Sequence, residues 1–364
     1  MKLYFIYILL LSFLYSAYGQ EPYQLVYAQR EFMRLDKDGD NVLEQKEVKN
    51  RWETFKKFDS NGDDVVSLEE YSAVEIPYLN TSGEKNLNIK YKSTPEEDLY
   101  LDIYYPPGKT KNKTFPVMVY VHGGGWFNGS KENITKKYVN ETFSKLVEQG
   151  FAVASVNYRL TKYKSVVMRD CVIDAMDAIR YLSKHHSTLK LNTNSVYVLG
   201  DSAGGQLAQM ITLADASNFE GDSELYQYKY KVKAGVSWYG PCDFTKTELF
   251  ETNDPTKKPD RFRGRILRKE SDPSLKDTCF KEMSSIFYLN QHSPPLYMMA
   301  AEDDTTIPVS HAYHMKKRAD EINANVEIFI AKNAGHNWRN VDGEIDPSTD
   351  AIIQKTVDFF IKYK

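Results

Sequence analysis

Cysteine is scarce in this chain, with 3 among 364 residues. That is too few for a disulfide framework, so the fold must rest on a hydrophobic core. A surplus of one charge sign is also missing. The formal net charge is −3, which removes the electrostatic case for binding nucleic acid. Long apolar runs are absent beyond the start of the chain. No later segment approaches the ~20 apolar residues of a spanning helix, so a stable membrane anchor is not expected.

What is present begins with residues 1–19. Lys2, the apolar stretch Leu3 to Tyr15 and the small-residue end Ala17-Tyr18-Gly19 read as a secretory signal peptide. The remainder is therefore expected to be secreted or periplasmic. In such an oxidising compartment Cys242 and Cys279, which flank one long connection, are the expected partners of a disulfide. Cys171 lies on a predicted helix and is expected to be buried. Asn80, Asn112, Asn128, Asn133 and Asn140 each head an N-x-[ST] sequon.

Residues 20–80 carry two acidic twelve-residue loops. The first offers Asp36, Asp38, Asp40, the Val42 carbonyl, Glu44 and Glu47; the second offers Asp59, Asn61, Asp63, the Val65 carbonyl, Ser67 and Glu70. Alternating short oxygen donors closed by a glutamate suit a hard cation that takes 6–8 oxygens. The pattern is that of a tandem EF-hand pair with structural calcium, a small all-α module. Glycine is usual at the sixth loop position; Asn41 and Asp64 stand there, and both types tolerate a left-handed backbone. The link from Val48 to Phe58 is read as one helix leaving the first loop and entering the second. Pro77 to Lys85 reads as a linker.

From about residue 85 the pattern changes to apolar runs alternating with amphipathic stretches. Eight runs read as strands: Leu87–Tyr91, Leu99–Tyr105, Val117–Val121, Phe151–Asn157, Val196–Leu199, Val232–Tyr239, Leu296–Ala301 and Val326–Ile330. Helical periodicity separates them from the third onward, which implies a parallel sheet covered on both faces. The early strands, joined by short turns, are expected to form an antiparallel edge.

Gly200-Asp201-Ser202-Ala203-Gly204 stands between one such strand and a helix. A G-x-S-x-G in that setting is a nucleophile elbow, a turn so tight that it lifts the serine hydroxyl clear. Upstream, His122-Gly123-Gly124-Gly125-Trp126 follows a strand, and its glycines can turn N–H groups toward a ligand. Gly123, Gly124 and Ala203 are the expected donors to an oxyanion. Asp303 and Asp304 follow a later strand, and His336 follows the last. Serine, acid and histidine in that order match a hydrolase triad. Of the 7 histidines, only His336 has this placement. His122 is expected to shape the glycine loop, and His311 and His314 to sit on a helix as surface or packing residues.

Taken together, the His122–Trp126 run, Asn157-Tyr158-Arg159-Leu160, Gly200 to Gly205, Trp238-Tyr239-Gly240, the Asp304 loop and Gly335-His336 resemble the α/β-hydrolase esterase/lipase superfamily. The likeness is to secreted carbohydrate-acetyl and feruloyl esterases and to hormone-sensitive-lipase-like esterases. It covers roughly residues 85–364. It implies an α/β fold, a mostly parallel eight-stranded sheet under helices. It also implies Asp304 as the acid, because the family's acid stands four residues before a proline, here Pro308. The expected activity is hydrolysis of carboxylic esters by Ser202, Asp304 and His336 without a catalytic cofactor, the substrates including acetyl or feruloyl groups on polysaccharide. Formamidases and peptidases share the fold, and a non-catalytic binding protein is a third reading. Residues 241–290 are long for one connection. They read either as a lid or substrate wall lined by Phe250, Phe262, Phe280 and Phe287, or as a cap with its aromatics turned into the core.

Overall fold

A computed structural model describes residues 22–108, 114–268 and 270–364. The expected signal peptide and the Asn112 sequon lie outside them. The chain divides into two compact units, one ending at Pro77 and the other running from Tyr78 to Lys364.

In the first unit, helix α1 (Pro22–Leu35) leads into the first acidic loop. The loops are joined by a two-residue antiparallel ladder that pairs Val42 with Ser67 and Leu43 with Val66. The module is therefore not purely helical. Nor is the link one helix: Gln45–Val48 and Trp52–Phe55 are single α-turns, separated and followed by 3-10 turns. Lys49, at φ 51° and ψ −123°, cannot continue an α-helix. Ala28, Phe32, Leu43, Trp52, Phe55 and Val66 share one interior cluster. The Tyr71 ring meets Phe32, Phe55 and Phe58 at 5.4–6.0 Å.

The second unit is built on eight strands: β1 Lys85–Ser93, β2 Asp98–Tyr104, β3 Phe115–Val121, β4 Ala152–Val156, β5 Leu191–Asp201, β6 Val232–Trp238, β7 Leu296–Ala301 and β8 Val326–Ala331. Their order across the sheet is β1-β2-β4-β3-β5-β6-β7-β8. β2 runs antiparallel to both β1 and β4, while the pairs from β4 to β8 are parallel. The antiparallel edge is thus the early one, as the short turns require.

The central strands read as unbroken apolar runs because both faces are covered. Val117, Val119 and Val121 of β3 face one interior with Val196 and Val198 of β5; Met118, Tyr120, Tyr197 and Leu199 face the other. Helices α3 (Met168–Lys184) and α4 (Ala203–Leu213) cover the first face. Helices α2 (Lys137–Glu148) and α6 (Thr349–Lys362) cover the second. Helix α5 (Ser310–Glu321) packs on β7 and β8.

The segment after the glycine run is pinned by a buried cation. Lys131 is fully buried, and its Nζ lies 2.9 Å from Asp102, 2.7 Å from Glu132 and 3.0 Å from Asn88 Oδ1. Its backbone N–H donates to Asn157 Oδ1 at 2.8 Å, and its carbonyl accepts from Ser155 Oγ at 2.7 Å. Breaking a buried pair on one side leaves a carboxylate without its countercharge, at a cost of about 3–5 kcal/mol. Lys131→Met is expected to lose about that much unfolding free energy in urea titration. A loss below ~1 kcal/mol would show that these carboxylates do not depend on the lysine.

Candidate active site

β5 ends at the elbow. Ser202 sits at φ 55° and ψ −116°, a conformation that a residue with a side chain occupies only when its surroundings impose it. The surroundings do so by contact. A Cβ on Gly200 would lie 2.0 Å from the Gly204 carbonyl oxygen, and one on Gly204 would lie 2.0 Å from that of Val121. The Ser202 N–H donates to the Trp238 carbonyl at 2.8 Å, tying the turn to β6. Ser202 itself is 9% exposed, at the head of α4.

His336 arrives on a short 3-10 turn after β8. Its Nε2 lies 2.9 Å from Ser202 Oγ and its Nδ1 lies 2.6 Å from Asp304 Oδ2. The three residues, up to 134 positions apart, therefore form one hydrogen-bonded chain. Asp304 is buried, and its other oxygen accepts the N–H groups of Thr306 at 2.7 Å and Ile307 at 2.9 Å. This turn explains the fixed spacing from acid to Pro308: the chain must fold back onto the carboxylate before α5 begins. Asp303, half-exposed, uses its N–H on the Ala334 carbonyl. Tyr239, not singled out in the sequence beyond its motif, braces the imidazole at 4.8 Å and packs on Trp338 at 4.9 Å.

The glycine loop differs from expectation at one donor. The Gly123 N–H is given to Asp201 Oδ1 at 2.9 Å, so it does not face a ligand. The same carboxylate oxygen accepts the Tyr120 hydroxyl at 2.8 Å. Burial pushes the Asp201 carboxyl up from its ordinary range, and the Tyr120 and Gly123 donors pull it back. A Cβ at Gly123 would strike Asp201 Oδ2 at 2.4 Å. Gly124, at φ 126°, accepts the Phe127 and Asn128 N–H groups on its carbonyl. No partner among the described residues takes the Gly124 or Ala203 N–H. Asp201 was legible only as the variable residue of the elbow motif. His122 stacks on Tyr158 at 4.2 Å, and its Nδ1 contacts the Gly123 carbonyl at 2.8 Å, which is the loop-shaping position expected of it.

The long connection after β6 is a cap with its aromatics inward. Phe250 and Phe280 are 2% and 6% exposed, Phe262 packs partly against the same core, and only Phe287 is exposed. Trp126 Nε1 donates to Gln206 Oε1 at 3.1 Å, and Gln206 Nε2 donates to the Met283 carbonyl at 2.9 Å. Glycine loop, elbow helix and cap thus share one side chain. The expected Cys242–Cys279 disulfide is not formed; Cys171, Cys242 and Cys279 are all free. Cys242 is buried beside α5, where its Sγ lies 3.2 Å from the His311 carbonyl oxygen. His311 is a buried packing residue against Phe250 at 4.3 Å, and His314 contacts Asp243 at 3.1 Å.

In the first unit the carboxylates of Asp36, Asp38 and Asp40 bring ligand atoms within 4.8 Å of one another. Both loops fold the same way. Asp36 accepts the N–H groups of Gly39 and Asn41, and Asp59 those of Gly62 and Asp64. Asn41 and Asp64 adopt φ 69° and 62°. Glu47 accepts the N–H groups of Lys37 and Glu44, and Glu70 those of Ser60 and Ser67. The donors of Ser67 and Ser60 hold the Glu70 carboxyl well below its ordinary value. Asp38 and Glu44 both contact Lys46.

The BD-FAE family model matches residues 101–319 of the chain. Esterase LipQ of Mycobacterium tuberculosis is 26% identical over 223 residues, covering 61% of this chain and 49% of LipQ. Esterase LipC of the same organism is 26% identical over 245 residues, covering 66% of this chain and 57% of LipC. The chain spans about half the length of the curated relatives it matches. Among solved structures, the Thermogutta terrifontis esterase Est2 is 22% identical with a TM-score of 0.61, covering 77% of this chain and 91% of Est2. A truncated carbohydrate esterase from gut microbiota is 20% identical with a TM-score of 0.64, covering 79% and 99%. These structural likenesses carry the fold alone: the sheet order and the covering helices are those of an α/β-hydrolase. With its matched span running from β2 into α5, the chain belongs to the BD-FAE family.

Proposed function

We propose that the chain is a serine esterase, secreted or periplasmic, that cleaves carboxylic esters through an acyl-enzyme. The observation that carries this reading is the unbroken bond chain from Ser202 Oγ through His336 to Asp304. His336 Nε2 takes the hydroxyl proton as Ser202 Oγ attacks the ester carbonyl carbon. Asp304, fixed by two backbone N–H groups, holds the ring orientation and stabilises the imidazolium. The carbonyl oxygen gains negative charge and is received by the Gly124 and Ala203 N–H groups. Each such donor is worth about 2.7–4 kcal/mol in the transition state. His336 then protonates the departing alkoxide, the alcohol leaves, and water repeats the sequence on the acyl-serine. Family membership and the carbohydrate-esterase neighbour support an acylated carbohydrate, such as an acetyl or feruloyl ester, as the natural substrate. Secretion is supported by the composition of residues 1–19. No helix among the described residues is long and apolar enough to cross a membrane.

For the first unit the reading is a tandem EF-hand with structural calcium. The all-oxygen donor sets, the convergence of Asp36, Asp38 and Asp40, and the left-handed sixth positions support it. In the first loop Asp36, Asp38, Asp40, the Val42 carbonyl, Glu44 and Glu47 would hold the ion. In the second, Asp59, Asn61, Asp63, the Val65 carbonyl, Ser67 and Glu70 would do so. The ion's contribution there is to folding, by neutralising clustered carboxylates.

Two outcomes follow. Ser202→Ala is expected to lower kcat on short p-nitrophenyl esters by about a thousandfold or more; equal rates in the two proteins would refute the esterase reading. Saturating calcium is expected to raise the melting temperature above that in chelator, a ligand at a hundred times its Kd adding about 2.7 kcal/mol. Identical melting curves would remove calcium from the account.

A further inference from the structure

The cap holds arginines with no acidic partner. Arg261, Arg263, Arg265 and Arg268 occur within eight positions, and none has a carboxylate within ion-pair distance among the described residues. Arg261 is anchored on main-chain carbonyls, its terminal nitrogens donating to Phe250 and Thr306 at 3.0 and 2.7 Å. Arg268 is anchored likewise, on Thr161 and Tyr163 at 2.8 and 2.7 Å. Arg265 is different. Its guanidinium makes no hydrogen bond with a described residue and instead lies over the Phe127 ring, 4.2 Å from the centroid.

That ring belongs to the glycine loop. The Phe127 N–H closes the turn onto the Gly124 carbonyl at 3.1 Å, so Phe127 stands one turn from Gly124, whose N–H is assigned to the oxyanion. Phe127 is 36% exposed, and its neighbour Trp126 is packed by the cap's Phe262 at 5.4 Å. The cap turn therefore rests on the loop and delivers Arg265 to its rim. Burial first, and then the Arg268 charge, pull the Arg265 guanidinium below its ordinary range. A planar guanidinium held by stacking has its free N–H edge fixed, the arrangement suited to a carboxylate.

We propose that Arg265, stacked on Phe127, forms a subsite for a carboxylate carried by the ester substrate near its scissile bond. This rests on the esterase reading and narrows its substrate class to esters with an acidic group in the acyl or the alcohol part. A uronic-acid ester supplies the carboxylate on the alcohol side, and a dicarboxylic hemiester supplies it on the acyl side.

The experiment measures kcat/KM on two matched pairs with the full chain. One pair is methyl 3-O-acetyl-glucoside and its glucuronate counterpart; the other is p-nitrophenyl butyrate and p-nitrophenyl hemisuccinate. In the wild type, the acidic member of at least one pair is expected to be favoured about tenfold, the order of one charge-assisted bond. That preference is expected to shrink as salt rises. The pair that shows it identifies the side. Arg265→Met should bring the ratio to about one, and Arg265→Lys should keep part of it. Because the ratio is internal to each protein, partial loss of folded enzyme does not affect it. A ratio near one for both pairs in the wild type, or a preference that survives Arg265→Met, overturns the subsite. Wild type inert toward all four esters, or activity that persists in Ser202→Ala, overturns the esterase reading itself and the subsite with it.

Discussion

The candidate site depends on how closely the elbow helix approaches the two strands beside it. Helix α4 starts where backbone meets backbone. Gly204 lies against the Val121 carbonyl of β3, and Gly205 lies against Trp238 and Gly240 at the end of β6. No side chain fits in those gaps, and the wedge they form holds Ser202 at positive φ. Backbone strain of this kind costs on the order of 1–3 kcal/mol and persists only where packing overdetermines it. Here the packing comes from a sheet buried on both faces, whose strand ends cannot shift to relieve the turn.

Given that wedge, the neighbouring parts are positioned by polar groups that have few alternatives. Asp201 leaves the sheet beside the serine and is half-buried, and its carboxylate finds its donors within the protein. It takes the Tyr120 hydroxyl from β3 and the Gly123 N–H from the loop that follows β3. One consequence is that the first glycine of the run is spent on structure, and the N–H groups beyond it are left to face a ligand. On the opposite side His336 is held between Asp304 and the Tyr239 ring, and Tyr239 in turn rests on Trp338. The imidazole is thereby constrained in the plane that joins Asp304 to Ser202.

Much of this was legible because the signals are local. The central strands were visible as apolar runs, since residues buried on both faces leave no polar alternation to confuse with a helix, whereas the edge strand β1 alternates polar and apolar residues and is only partly buried. The elbow and the acid turn were visible through glycine and proline, whose backbone requirements fix their positions. What escaped were pairings between distant side chains. Nothing in the local sequence marks Lys131, and only the fold brings Asp102 and Asn88 to it. The occupation of the Gly123 N–H depended on which way Asp201 turned. The helix expected between the acidic loops failed at Lys49, whose positive φ no propensity scale marks. The Cys242–Cys279 pairing failed because spacing says nothing about direction: Cys242 points into α5.

The segment after β6 takes the second of its two readings, a cap with its aromatics turned into the core, and its bonds make it a fixed wall rather than a lid. A lid at rest should leave its main bonds easy to break. Instead, Arg261 donates to the Thr306 carbonyl, two residues beyond Asp304, and Arg268 donates to Thr161 and Tyr163 beyond β4. Gln206 ties the Met283 carbonyl to the elbow helix. Charged hydrogen bonds are worth about 1.5–3 kcal/mol each, and opening the segment would break several together while exposing Phe250 and Phe280. On the proposed esterase reading, selectivity therefore falls to a fixed rim rather than to a moving lid. The same bonds couple that rim to the acid turn: the Thr306 N–H holds Asp304 while its carbonyl holds Arg261. The wall that would meet the substrate and the carboxylate that orients the imidazole are thus set by one peptide segment.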